Sequence, residues 1–288
     1  MAGMRVSVAF RSWLAVVLGL VVSSSAAAQQ RPLVTEDPET VGGGRVLVEA
    51  GIDVARSIFF PGSGLTGNLI EVPTVGVSIG LSSIAELQFD GGLYRRLHVT
   101  DRELAPNSYK LTFPGDSTSD VDDLVVATKL KVLSERGRRP SFGLRLATKL
   151  PNASNETGLG LDTLDFSAVI LAGKTVGSNR FVANLGGAIL GDTVRGDRQS
   201  DVLVYGLSMA HAITEGLEVV GEVHGQAQWA WEFPRPGAAS RATFRGGIRY
   251  THGGGRIDAG LLVGTTREDP GLGLTVGYTH VFDAFTPP

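Results

Sequence analysis

From Leu217 to Trp231 apolar and polar residues alternate almost without exception. Leu217, Val219, Gly221, Val223, Gly225, Ala227, Trp229 and Trp231 share one parity. Glu218, Glu222, His224, Gln226 and Gln228 share the other, with Val220 out of place. A period of two marks a β-strand, whose successive side chains leave opposite faces of the pleat. The apolar parity is small and aliphatic in its middle and ends in two tryptophans. That is the profile of a strand facing lipid, with an aromatic girdle at the headgroups.

The same alternation recurs along the chain and predicts twelve strands, the first at 46–54 and the last at 272–282. Tight connections fall near 82, 137, 178, 215 and 254, and longer ones lie between them. Arg56 to Gly67 reads as a loop, and Leu97 to Val121 as the longest loop of all. Short turns at one end and long loops at the other are expected of an outer-membrane barrel, with the short turns periplasmic. The predicted fold class is therefore all-β, a transmembrane antiparallel up-and-down β-barrel of about twelve strands over 45–288. Counting strands up and down places Phe142, Phe181, Tyr250 and Phe282 at the periplasmic rim, and Phe166, Trp229, Trp231 and Phe244 at the opposite rim. These eight are the candidate membrane-interface aromatics.

Composition narrows the setting. Arg5 and Arg11, the apolar run Trp13 to Val22 and the small residues up to Ala28 form a secretory signal peptide, predicted over 1–28 and too short to cross a bilayer. Its removal takes two basic residues and no acids, so the net charge moves from −3 to −5. Nothing basic clusters, which argues against nucleic acid as a partner. The chain holds no cysteine, so disulfides and thiolate metal sites are excluded. The expected partners are the lipid bilayer and the barrel-assembly machinery of a Gram-negative cell envelope, with the outer membrane as location. No cofactor or metal is expected.

The polar parity of each strand would line the lumen. It carries the acids Glu49, Asp53, Glu86, Asp90, Glu218, Glu222 and Asp258, the bases Lys129, Lys131, Arg145, Lys149, Arg245 and Arg249, and His224. These are the candidate residues of a solute path. If the turn near Gly137 closes a symmetric hairpin, Lys129 faces Arg145 and Val125 faces Lys149. Like charges across a strand pair destabilise it, so compensation is expected from Glu86 and Asp90. The basic strip would then face Glu218 and Glu222 across the bore. A non-strand leader at 29–44, carrying Glu36, Asp37 and Glu39, is expected to enter or cover the periplasmic mouth.

RPLVTEDPETVGGGRVLVEAG after the signal, GDSTSDVDDLVVATKLKVL near 115 and PNASNETGLGLDTLDFSAVILAGK near 151 resemble the outer-membrane transporter family named for the meta-pathway of phenol degradation. The resemblance implies an outer-membrane barrel admitting aromatic or other apolar compounds.

Other chemistry is weakly signalled. Tyr250-Thr251-His252 and Tyr278-Thr279-His280 begin like the Tyr-Thr-His-x-Ser-Asn motif of twelve-stranded outer-membrane phospholipases, but neither continues to the nucleophilic serine. The acidic stretch Asp116 to Asp123 lacks the ordered spacing of a calcium loop and reads as solvated. The sequence favours a narrow channel for small solutes over an enzyme. A non-conducting structural or surface-interaction barrel stays open as the alternative, and a lipid hydrolase as a remote one.

Overall fold

The computed structural model describes residues 31–229 and 235–286. The signal peptide and Trp231 lie outside the described residues. The strands are β1 (Arg45–Phe60), β2 (Leu65–Gly80), β3 (Ala85–Gly92), β4 (Arg95–Arg102), β5 (Ser117–Asp120), β6 (Leu124–Leu133), β7 (Ser141–Leu150), β8 (Asp165–Val176), β9 (Asn179–Gly191), β10 (Gln199–Ala212), β11 (Leu217–Gln228), β12 (Arg241–His252), β13 (Gly255–Gly264) and β14 (Leu272–Asp283). All pair antiparallel, and β1 closes the sheet on β14 from Arg45↔Asp283 to Arg56↔Leu272.

Fourteen segments make twelve staves. β3 and β4 both lie against β2 in one register, Thr74↔Gly92 and Glu71↔Arg95. Their partners β6 and β5 likewise share a register, Ala85↔Leu130 and Arg95↔Asp120. The interruption of β3/β4 falls opposite Pro73. Leu93 N–H donates to the Pro73 carbonyl at 3.0 Å and Val72 N–H to the Tyr94 carbonyl at 2.9 Å, but Pro73 has no N–H to return.

Burial is inverted relative to a soluble domain. Lys129 and Glu86 on the inner face are 0% exposed, while Ile170 and Leu185 on the outer face are 60% and 56% exposed. Phe166, Trp229, Phe244, Phe181, Tyr250 and Phe282 are exposed on the outer wall, and Phe142 is half-buried at the start of β7. An apolar outer wall around a charged interior suits lipid outside and polar groups within.

Two loop expectations are corrected. Arg56 to Gly67 is strand to Phe60 and again from Leu65, leaving a four-residue turn at 61–64. Leu97 to Val121 likewise contains β4 and β5, and the loop shrinks to 103–116. The reason is that these strands outrun the membrane. β1 and β2 have 16 residues each, against about 10 needed to span the bilayer. Above the lipid the faces exchange character. Arg96, His98 and Thr100 face water outside, while Leu65, Leu69, Leu97 and Val99 bury inside with Leu159. Ala55, Ile58, Phe60, Leu111 and Phe113 pack on that cluster, so the loops at 103–116 and 151–164 fold over its rim. The remaining loop-side connections, 192–198, 229–240 and 265–271, are longer than the turns 177–178, 213–216 and 253–254 at the other end. By that asymmetry the short-turn end, where β1 begins and β14 ends, is periplasmic.

Candidate functional site

The leader does more than cover the mouth. Residues 31–44 run inside the lower barrel and touch walls on every side. Arg31 reaches Thr275 Oγ1 at 2.6 Å, Thr74 Oγ1 at 2.8 Å and Asp53 at 3.2 Å, and lies 3.6 Å from Asp258. Its carbonyl accepts from Arg249 Nε at 2.8 Å, and the Pro32 carbonyl from Arg245 at 3.3 Å. Pro32 rests against Gly260, where a Cβ would come within 2.9 Å of the proline ring, so the wall is bare there because the leader occupies the space. The Val34 and Thr35 N–H groups donate to Glu222 at 2.9 and 2.8 Å. Glu36 is bracketed by Asn184, which accepts from its N–H at 2.7 Å and donates to its carbonyl at 2.8 Å. Farther on, Asp37 pairs with Arg180 at 2.7 Å and Glu39 with Lys131 at 3.1 Å, and Val41 N–H donates to Glu86 at 2.6 Å. The leader therefore holds β9 and β11 on one side and β1, β6 and β14 on the others.

The basic strip explains why it binds there. Lys129 does face Arg145, and Val125 faces Lys149. Glu86 stands across from Lys129 on the neighbouring stave and meets its Nζ at 2.9 Å. Asp90 meets Arg145 at 3.3 Å, and the leader's Glu36 bridges both cations, 3.2 Å from Lys129 and 3.0 Å from Arg145. Burial works to raise the Glu36 carboxyl, but these two cations hold it below the ordinary glutamate value. Lys149 pairs with Asp123 at 3.0 Å and Asp165 at 2.9 Å. The expected confrontation of the strip with Glu218 and Glu222 does not form. Glu222 is taken by the leader's N–H groups, His224 at 3.1 Å and Arg245 at 3.7 Å, and Glu218 sits 3.9 Å from Arg249. Compensation is local, stave to stave or stave to leader.

Three groups were not singled out from sequence: Arg180, Gln88 and Arg256. Each occupies an inward position of its strand, so parity alone could have found it. Gln88 accepts from Arg145 Nε at 2.8 Å and donates to Glu86 at 2.8 Å. The acidic stretch is also less solvated than expected. Asp122 pairs with Arg95 at 2.7 Å, Asp123 accepts from Ala153 N–H at 2.8 Å, and Asp120 from Ser154 N–H at 2.8 Å. These carboxylates fasten the loop at 151–164. The Tyr-Thr-His copy on β14 is divided between faces. Thr279 turns inward and donates to Glu49 at 3.1 Å, while His280 stands outside, 3.2 Å from the Tyr278 hydroxyl and stacked between Tyr278 and Phe282.

Above the leader the bore is open in two chambers. The middle one, about 400 Å³, is walled by Glu49, Asp53, Glu71, Asp90, Arg145 and Arg245, with the leader from Arg31 to Val34 and Glu36 on its lower side. The upper one, about 280 Å³, combines Ile58, Phe60, Leu159 and Leu190 with Arg95, Lys149, Arg241 and Glu268.

The fold is similar to that of the COG4313 outer membrane channel from Pseudomonas putida F1, with a TM-score of 0.61 at 15% identity over 85% of this chain and 98% of that one. It is also similar to the NanC porin (TM-score 0.48, 9% identity, 82% and 98% covered). The translocator domain of the autotransporter NalP from Neisseria meningitidis gives 0.45 at 14% identity, with 95% of each chain covered. No curated protein matches the chain. The inverted burial and the first of these likenesses place the protein in the outer membrane as a closed antiparallel barrel. Residues 29–279 match the model of the family described as "Putative MetA-pathway of phenol degradation", and the chain belongs to that family.

Proposed function

We propose that the protein is a narrow outer-membrane channel for small solutes, with aromatic or other apolar compounds as its class of cargo. The observation that carries the reading is the pair of chambers above the leader. A barrel built only for rigidity fills its interior with its own side chains, whereas here cavities of about 400 and 280 Å³ remain. The upper chamber has an apolar wall, Ile58, Phe60 and Leu159, beside a few polar groups, the pattern of a small-molecule site. The family's description and the channel similar in fold both support this reading. In it the leader is the obstruction, and the path is lined by the wall charges around it. The test is conductance in planar bilayers of the full protein and of a deletion of 31–42, with and without a monoaromatic solute. The deletion should raise conductance several-fold, and the solute should reduce the ionic current of the full protein. Equal, negligible currents from both folded proteins would instead favour a non-conducting structural barrel.

A further inference from the structure

We infer that the outer wall carries a docking site for the phosphorylated head of an outer-leaflet glycolipid of the lipid A class. Arg56, Asn68, Arg96 and His98 form it, where the strands rise out of the lipid. Parity puts their side chains outside. Arg56 pairs across the seam with the outward Leu272, and Ile70 and Asn68 on β2 pair with Arg96 and His98 on β4. All four are exposed, while Ala55, Leu69 and Leu97 between them belong to the inner apolar cluster. On β1, Arg56 and Ser57 together face Asn68 in a bulge, an irregularity that re-aims side chains. The Ser57 N–H donates to Asn68 Oδ1 at 3.4 Å. On β5, Ser119 and Ser117 stand opposite Arg96 and His98 and extend the polar row.

The protein leaves this row uncompensated. Among the described residues, no carboxylate pairs with the side chain of Arg56, Arg96 or His98. Other arginines at this end are engaged. Arg267 meets Glu103 at 2.5 Å and lies 4.1 Å over Phe59, Arg102 lies 4.9 Å over Phe113, and the inward Arg95 holds Asp122 at 2.7 Å. Beneath and beside the row, Ile52, Val54, Ile70, Leu272 and Leu274 are exposed, so an apolar wall for acyl chains stands under a cationic edge. Arg56 and His98 are two strand spacings apart, about 10 Å, and a guanidinium grips phosphate oxygens in pairs. Near the loop-side end of β10 the outward position holds Asp201 instead, so the positive face is confined to one side of the barrel. The outer leaflet of a Gram-negative outer membrane is built of a glycolipid with a phosphate at either end of a sugar pair and acyl chains below. Its layers of charge and hydrocarbon match the wall here. A soluble anion would meet the cations but not the apolar band under them.

The test is native mass spectrometry of the purified full protein in neutral detergent, titrated with diphosphorylated lipid A and with the same lipid stripped of phosphate. The parent should bind the phosphorylated form about tenfold more tightly than the stripped one, at roughly a kcal/mol for each arginine engaged. The double variant Arg56→Gln, Arg96→Gln should lose that preference. A control pair in the loop at 192–198, Arg195→Gln with Arg198→Gln, should keep it, with both variants folded by their migration on unheated gels. Millimolar inorganic phosphate should not displace the lipid. A parent that binds both lipids alike would overturn the proposal without recourse to any variant. Equal affinity in the parent and the folded Arg56/Arg96 variant, or an equal loss in the control pair, would overturn it too. Full displacement by inorganic phosphate would replace the glycolipid with a general anion site.

Discussion

Lys129 is a fully buried cation held by two carboxylates, Glu86 on its own wall and Glu36 on the leader. Removing it strands both acids out of water, so Lys129→Met should cost about 3–5 kcal/mol of barrel stability, read by urea unfolding of the refolded protein in liposomes. Adding Glu86→Met should recover part of the loss, since one of the two stranded carboxylates is then gone. A single variant as stable as the parent would mean that the amine is not the keystone of this cluster. The stave-to-stave half of this arrangement was legible in the sequence. Parity put Lys129, Arg145, Glu86 and Asp90 on one face, and hairpin symmetry set Lys129 opposite Arg145. The leader's half was legible only as a charge difference, because no periodicity fixes where a segment rich in proline and glycine will lie.

Among the elements, the leader is the one whose hold depends on ionisation. With Glu36 held below its ordinary value, its contribution to docking is complete above the usual glutamate pKa of about 4.3. It is lost as the pH falls through the lowered value, because protonation then removes the charge that Lys129 and Arg145 attract. Conductance in planar bilayers should therefore climb only once the pH falls below the ordinary glutamate range, and Glu36→Gln should already conduct at the raised level near neutrality. A flat response in the parent, with a variant indistinguishable from it, would show that Glu36 does not hold the leader. The strands were legible where one face meets lipid and the other meets the charged bore. They were illegible at 56–60, 65–68, 95–102 and 117–120, where water replaces lipid outside and packed leucines replace charges inside. Alternation persists there, but it no longer says which face is which.

For the whole molecule, the assigned orientation separates two exposed arginine pairs. Arg195 and Arg198 lie in the loop at 192–198, and Arg136 and Arg138 in the turn at 134–140. Trypsin added to intact cells should cut the first pair and spare the second, although both are open to solvent; early cutting at the second pair would invert the topology. The seam that completes the barrel joins β1 to β14, residues at opposite ends of the chain. Every other stave pairs with a neighbour close in sequence, so a partly formed sheet can grow hairpin by hairpin. The seam cannot follow that rule, because its loop encloses the rest of the barrel and carries the greatest closure entropy. Closure is therefore expected last in time, and until residues 272–283 arrive the nascent sheet has two raw edges able to pair with another copy. Whether the other staves become a pore or an aggregate thus turns on β14 finding β1.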